Sequence, residues 1–316
     1  MGTTYAALRS RGRFALRLLA AGLALSATPL SAAAQEGPAT PVVRAAPADL
    51  GDGWAWGRPQ DLGLDPGPIA ELLRRVEEGE LADIHGVLIA RAGTLAVEAY
   101  FPGYAFDYAG ESFRGPWTEF GASSPHNLAS VTKSVTGLLV GIAVDRGAIE
   151  GVDGSVVSFF PEYVDPAEGR ESITLGHLLT MTSGLEWNEQ DVFYGEARND
   201  IIQLFLVPDP LEYILSRPLA APAATEWRYN GGGTILLGEI VHRASGLPLD
   251  DFAQAHLFDP LGIERPEWVR FDNGVVYASG DLRLRPRDMA KLGQLVLDGG
   301  TWKGRRIVSA EWVEAM

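Results

Sequence analysis

Three lysines occur in the chain, Lys133, Lys291 and Lys303, among 26 basic residues. One of them, Lys133, follows Ser130 at a spacing of three. Residues three apart on a helix share a face, so within the run Leu128 to Gly147 a hydroxyl and an amine point the same way. The pairing suits a nucleophile and its base. A lysine can give up its proton and take one from an alcohol, whereas an arginine cannot. A helix start carries partial positive charge, and both that charge and apolar surroundings disfavour a cation and favour the free amine. A second reactive group, Tyr229, sits in Trp227-Arg228-Tyr229-Asn230-Gly231-Gly232-Gly233. Three glycines let backbone come close to whatever fills such a site, and a phenol beside a cation loses its proton more easily. Each signal is weak alone: a Ser-x-x-Lys spacing is suggestive and no more, and a lone loop tyrosine is more often structural than reactive.

The elements that must position these groups follow from periodicity. Val131, Val135, Leu138, Leu139 and Ile142 form the apolar recurrence of a helix packed on one face. Gly137 and Gly141 thin the opposite side enough for a close neighbour, and Gly147 is a C-terminal stop. A second helix follows Tyr229, with Leu236, Leu237, Ile240 and Val241 inward and Gly246 at its end. Upstream, Asp65-Pro66 starts a helix striped by Ile69, Leu72, Leu73 and Val76 and ended by Gly79. Gly86 to Tyr100 reads as a hairpin turning at Ala92-Gly93. An aromatic loop holding Phe101, Tyr104, Phe106, Tyr108, Phe113, Trp117 and Phe120 comes next. It either lines a pocket or plugs a sheet edge. Further helices are expected at Thr174 to Thr180, near Leu211 to Ser216, at Asp288 to Leu297 and around Trp312. Between them Trp187 to Pro222 is irregular, with an apolar patch at Ile201 to Val207. Two strands do not complete a sheet.

Composition sets the outer bounds. At 316 residues and 46% hydrophobic content the chain can bury one large domain or two interleaved ones. Arg9, Arg11, Arg13 and Arg17 precede an apolar run, Leu18 to Leu25, and Ala32-Ala33-Ala34 offers a cleavage site before Gln35. That is the pattern of a secretory signal peptide over residues 1–34, which implies a periplasmic or secreted protein. Residues 35–53 then read as a flexible lead-in. Removing the four arginines takes the formal charge from −15 to −19, which argues against nucleic acid and anionic membranes as partners. There is no cysteine, so no disulfide and no cysteine-linked lipid. His85, His126, His177, His242 and His256 show no ligand spacing, and no Walker, dinucleotide, H-E-x-x-H or G-x-S-x-G pattern occurs. No metal or cofactor is expected.

Five stretches in order, ASVTKSVTGLLVGIAVDRGAI, ITLGHLLTMTSGLEW, WRYNGGGTILLGEIVHRASG, LFDPLGI and ASGDLRLRPRDMAKLGQLVLDGG, resemble the serine β-lactamase-related hydrolases. These include class C β-lactamases, D-alanyl carboxypeptidases, certain esterases and 6-aminohexanoate-dimer hydrolases. The likeness runs from about Trp54 to the end. It implies an α+β, β-lactamase/transpeptidase-like fold: an antiparallel sheet flanked by helices, with a mostly helical region inserted. The sheet part would fall at about 54–125 and the helical part at about 126–280, both within one domain spanning 54–316.

The resemblance makes Ser130 the acylated nucleophile, Lys133 its partner base and Tyr229 the catalytic tyrosine. It also implies an oxyanion site of backbone N–H groups, one of them from Ser130. The third residue of the tyrosine motif is often Asn in β-lactamases and is Gly231 here, which shifts the expectation from β-lactams toward other esters and amides. The family's third motif, K-T-G or an equivalent on a C-terminal strand, does not follow Tyr229. Trp302-Lys303-Gly304 lacks its Ser/Thr and falls in a turn. The C-terminal sheet strands are accordingly expected to be missing, and the 316-residue chain to be weakly active or inactive. The implied function is acyl transfer from a small ester, amide or β-lactam to water. A penicillin-binding sensor that acylates without turnover and a non-catalytic binding module stay open, and sequence does not fix the oligomeric state.

Overall fold

The computed structural model describes residues 51–163 and 169–316. The signal-peptide reading, and the lead-in up to residue 50, lie outside the described residues. Strand β1 (Ala55–Trp56) is followed by α1 (Pro66–Glu77), whose Asp65 cap accepts from the Gly67 N–H at 2.9 Å. The expected hairpin forms from β2 (Gly86–Arg91) and β3 (Thr94–Tyr100). Its turn residues Ala92 and Gly93 both have positive φ, +50° and +73°, as a two-residue turn matched to strand twist requires. β1 adds to β3 in parallel, giving the order β1-β3-β2. This third strand is only two residues long and carries no alternation by which the sequence would reveal it.

The aromatic segment is not a simple loop. It folds into a second hairpin of β4 (Gly103–Phe106) and β5 (Arg114–Thr118). Strand β6 (His126–Asn127) then leads into a 3-10 turn at Ala129–Val131 and on to α2 (Thr132–Asp145). Ser130 therefore precedes the α-helix proper, and Val131, expected inside, is 51% exposed. The rest of the stripe is buried as its spacing requires: Val135, Leu138, Leu139 and Ile142. The glycine side of α2 admits a close neighbour. Trp312 lies so near that a Cβ on Gly141 would fall 2.3 Å from its ring, and its indole N–H donates to Gly137 O at 3.1 Å.

Past residue 169 the chain is mainly helical. α3 (Leu175–Leu179) begins with a reciprocal cap between Thr174 and His177. α4 (Asp200–Leu204) accounts for part of the apolar patch in the irregular stretch, and α5 (Pro210–Leu215) follows it. α6 (Gly231–Ser245) packs on α2 and ends at Gly246 with φ +74°. α7 (Leu249–Ala253) runs through a π turn into α8 (Asp259–Leu261). β7 (Arg283–Leu284) pairs with β6, and α9 (Pro286–Leu297) packs on β2. A small hairpin, β8 (Thr301–Trp302) with β9 (Arg305–Arg306), and α10 (Ala310–Ala315) complete the described chain. Lys303 and Gly304 are the turn of that hairpin. One large core joins α2, α6, α7 and their surroundings, and a small second cluster of Val76, Ala99 and Phe101 lies under the sheet. Arg287 of α9 ties the two together, with Glu98 of β3 at 2.6 Å and Asp52 at 3.4 Å. No helix of the described residues is long and apolar enough to cross a membrane.

Candidate active site

The three residues singled out in the sequence meet. Lys133 Nζ lies 3.2 Å from Ser130 Oγ, and the Tyr229 hydroxyl lies 2.7 Å from the same oxygen from 99 positions further along the chain. Lys133 Nζ also donates to Ser279 O at 2.8 Å and stands 4.8 Å from the centre of the Tyr229 ring. Among the described residues no carboxylate pairs with Lys133. Its neighbours are a hydroxyl, a carbonyl and an aromatic face. Ser130 itself is exposed and reachable from outside.

This geometry is imposed by the segment Ala278 to Leu284, which crosses the start of α2 and is pinned to it repeatedly. Thr136 donates to Ala278 O at 2.7 Å, the Leu282 N–H donates to Thr132 Oγ1 at 3.2 Å, and the Leu128 N–H donates to Leu282 O at 2.9 Å. Asn127 ties the nucleophile turn to the same segment. Its Nδ2 donates to Asp281 at 2.9 Å while its Oδ1 receives the Ala129 N–H at 2.7 Å. Ala129 is thereby held at φ +41°, a left-handed conformation that costs an L-residue about 1 kcal/mol or more and persists only where surroundings over-determine it. The strain falls on the residue before the serine. Tyr108 of the aromatic segment donates to both Asp281 oxygens at 2.8 Å, fixing that segment to the site. Sequence reading gave Asn127, Ser279 and Asp281 no role, although the last two lie in a stretch that carries the family likeness. Ser279 acts through its carbonyl, which no side-chain pattern announces. Asp281 and Asn127 show themselves only as buried or half-buried polar groups once the fold is known.

Tyr229 is placed from the other side by the first turn of α6. Asn230 caps that helix by accepting the Gly233 N–H at 2.9 Å, and the Glu189 carboxylate accepts the Gly231 N–H at 2.7 Å. The Arg228 N–H donates to Met181 O at 2.9 Å. Burial, together with the charge of Asp281, holds the Tyr108 phenol protonated well above the usual range. Burial likewise raises Tyr194, assisted by the charge of Glu189. Tyr277 is fully enclosed and raised by burial above all. These tyrosines are donors and packing groups, not acids of the neutral range. Of the histidines, His177 caps α3, His242 meets Leu247 O, and His85 and His126 flank the Phe120 ring. Burial pushes both His85 and His126 below the ordinary imidazole value.

An aromatic wall is joined to this centre through Tyr108 and Asp281. Phe113 stacks on Phe193 at 5.5 Å and on Phe106 at 5.8 Å, and Tyr108 meets Phe106 edge-on at 4.6 Å. Phe106 and Phe193 remain largely exposed. An open apolar surface thus adjoins a serine with an amine and a phenol in hydrogen-bond reach, a constellation able to perform nucleophilic attack on a carbonyl.

Comparison with known proteins gives a consistent placement. Residues 73–316 match the Beta-lactamase family. The 6-aminohexanoate-dimer hydrolase of Paenarthrobacter ureafaciens is 27% identical over 256 residues, covering 78% of this chain and 60% of that protein. Esterase EstB of Burkholderia gladioli is 35% identical over 144 residues, covering 43% of this chain and 36% of the esterase. Among solved structures, the octameric penicillin-binding protein homologue of Pyrococcus abyssi superposes with a TM-score of 0.57 at 22% identity, covering 80% of this chain and 60% of that one. The last likeness speaks for the β-lactamase/transpeptidase-like fold alone. The chain spans about 60% of the length of the hydrolase it matches.

Proposed function

The chain belongs to the beta-lactamase family, and from that premise we propose that it is a serine hydrolase that cleaves an ester or amide through an acyl-enzyme on Ser130. One observation carries the reading: Ser130 Oγ is held within bonding distance of both Lys133 and Tyr229. Attack by Oγ on the substrate carbonyl forms a C–O bond while the hydroxyl proton passes to the Lys133–Tyr229 pair. The tetrahedral oxyanion is stabilised by backbone N–H groups, one of them from Ser130. Collapse breaks the bond to the alcohol or amine, which leaves with the proton held by the pair. Water then attacks the acyl-serine, gives its proton to the same pair, and releases the acid with Ser130 restored.

Gly231 and the aromatic wall support non-lactam esters and amides over β-lactams. The family relatives named as an esterase and as a 6-aminohexanoate-dimer hydrolase support the same side. The basic and then apolar N-terminal residues support a reaction carried out in the periplasm or outside the cell. A panel of p-nitrophenyl esters, a short linear amide and a chromogenic cephalosporin tests the reading. In a form of the protein that also carries the family's third motif, ester or amide turnover is expected, with cephalosporin turnover slower; the 316-residue chain alone should turn these substrates over weakly. Ser130→Ala and Lys133→Ala should each lower kcat by about 10³-fold or more, and the double variant should be little worse than either. Stoichiometric labelling by the cephalosporin with no turnover of any substrate would replace the hydrolase with a penicillin-binding protein. Full activity in Lys133→Ala would remove the role given to the amine.

A further inference from the structure

Glu189 is a carboxylate that the chemistry above does not use, yet it is buried to 3% exposure beside the tyrosine. One of its oxygens accepts from the Gly231 N–H at 2.7 Å and from the Trp187 indole at 2.8 Å, and the other accepts from the Tyr194 hydroxyl at 3.1 Å. Among the described residues no Lys or Arg pairs with it. Burying an ionised group is costly unless every lone pair is served. Here neutral donors and the positive end of a fifteen-residue helix serve it. An apolar side chain here would orphan all three donors, so the carboxylate ties the Trp187–Tyr194 loop to the start of α6.

We propose that Glu189, matched to the missing side chain at Gly231, is the positioning residue for Tyr229. A Cβ on Gly231 would fall 2.9 Å from Glu189 Oε2 and 2.7 Å from Ile201 Cδ1. The glycine and the carboxylate thus occupy one volume between them, and neither changes without disturbing the other. The same loop grips the next residue, since a Cβ on Gly232 would fall 2.7 Å from the Trp187 ring. On the near side Arg228 donates from its guanidinium to Trp187 O at 3.4 Å. The Trp187–Glu189 loop therefore holds both flanks of Tyr229, through the Arg228 side chain before it and the Gly231 backbone after it. A helix start fixed in this way leaves the phenol few ways to point, and it points at Ser130.

The inference rests on the hydrolase reading, and its test separates the two. Initial rates with p-nitrophenyl acetate and labelling rates with a fluorophosphonate are measured for the wild type, Glu189→Gln, Tyr229→Phe and the double variant. Glu189→Gln is expected to lower kcat about 10-fold or more and to change KM by less than about 2-fold. In the Tyr229→Phe background the same change should cost less than about 2-fold, because its effect passes through the phenol. Equal losses in both backgrounds would make Glu189 a fold-stabilising residue only, and no loss in either would leave it without a role. Should Glu189→Gln fail to fold, Gly231→Ala, which presses on the same carboxylate, is put through the same cycle and decides between the same outcomes. Retention of ester hydrolysis by Ser130→Ala would overturn the acyl-enzyme on Ser130 whatever Glu189 does.

Discussion

The helical side of this molecule and its N-terminal sheet side are built on different principles. In α6 every residue from Gly231 to Gly238 is buried, and in α2, which packs on it, Leu139 and Val140 have no exposure at all. The sheet side rests on the small cluster of Val76, Ala99 and Phe101, and leaves Trp56, Tyr104, Phe106 and Trp117 between 41% and 58% exposed. Ser130, Lys133 and Tyr229 all stand at the ends of the deeply packed helices. Of the exposed aromatics, Phe106 reaches the site, through Tyr108 and Asp281. A dense core fixes atoms to within a few tenths of an ångström because it has no room to relax. An open wall can tolerate substrates of several shapes. On the proposed function, reaction geometry and substrate surface would fall to separate halves.

That contrast can be broken by stability measurements. Ile235→Ala in α6 should cost about 2–5 kcal/mol in denaturant unfolding, because the cavity it leaves cannot collapse. Phe106→Ala in β4 should stay within about 0.5 kcal/mol, as exposed positions generally do. Comparable losses at the two sites would erase the distinction. Gly141→Ala sharpens it from the opposite direction. The added methyl meets the Trp312 ring at 2.3 Å, so overpacking should cost about 1–3 kcal/mol. Replacing Trp312 by Ala in the same chain should remove that additional cost.

The smallest effect belongs to the sheet side and to pH. Burial lowers His85 and His126, with their mutual repulsion adding to the shift of His85. For a base lowered in this way the unfolded chain binds protons that the folded one resists. Stability is then fully present above the ordinary value of 6.5 and declines as pH falls through it toward the lowered folded value. Denaturant midpoints measured between pH 8 and pH 5 should show that decline, and the His85→Gln, His126→Gln double variant should lessen it. An undiminished slope in the double variant would assign the pH response to other groups.

What the sequence made legible was local. The apolar stripe of α2, the glycine stops at Gly147 and Gly246, and the hairpin at Ala92-Gly93 all rest on signals a few residues long, and the structure holds each of them. The Ser130–Lys133 proximity is of the same kind, since it depends on one helical turn. Tyr229 is different: nothing in spacing brings a residue 99 positions away to Ser130, and only the family likeness suggested it. The parallel strand β1, the β4–β5 hairpin and the exposure of Val131 escaped because two-residue strands, aromatic clusters and 3-10 turns carry no period. Glu189 escaped for a further reason. A buried carboxylate in an irregular stretch reads as a surface acid until its donors are seen.

The most direct measurement is the site and rate of covalent labelling by a fluorophosphonate, read by peptide mass spectrometry. A single modified residue, Ser130, is expected, with labelling slowed strongly in Lys133→Ala and in Tyr229→Phe. Modification at another residue, or a rate at Ser130 indifferent to both partners, would contradict it.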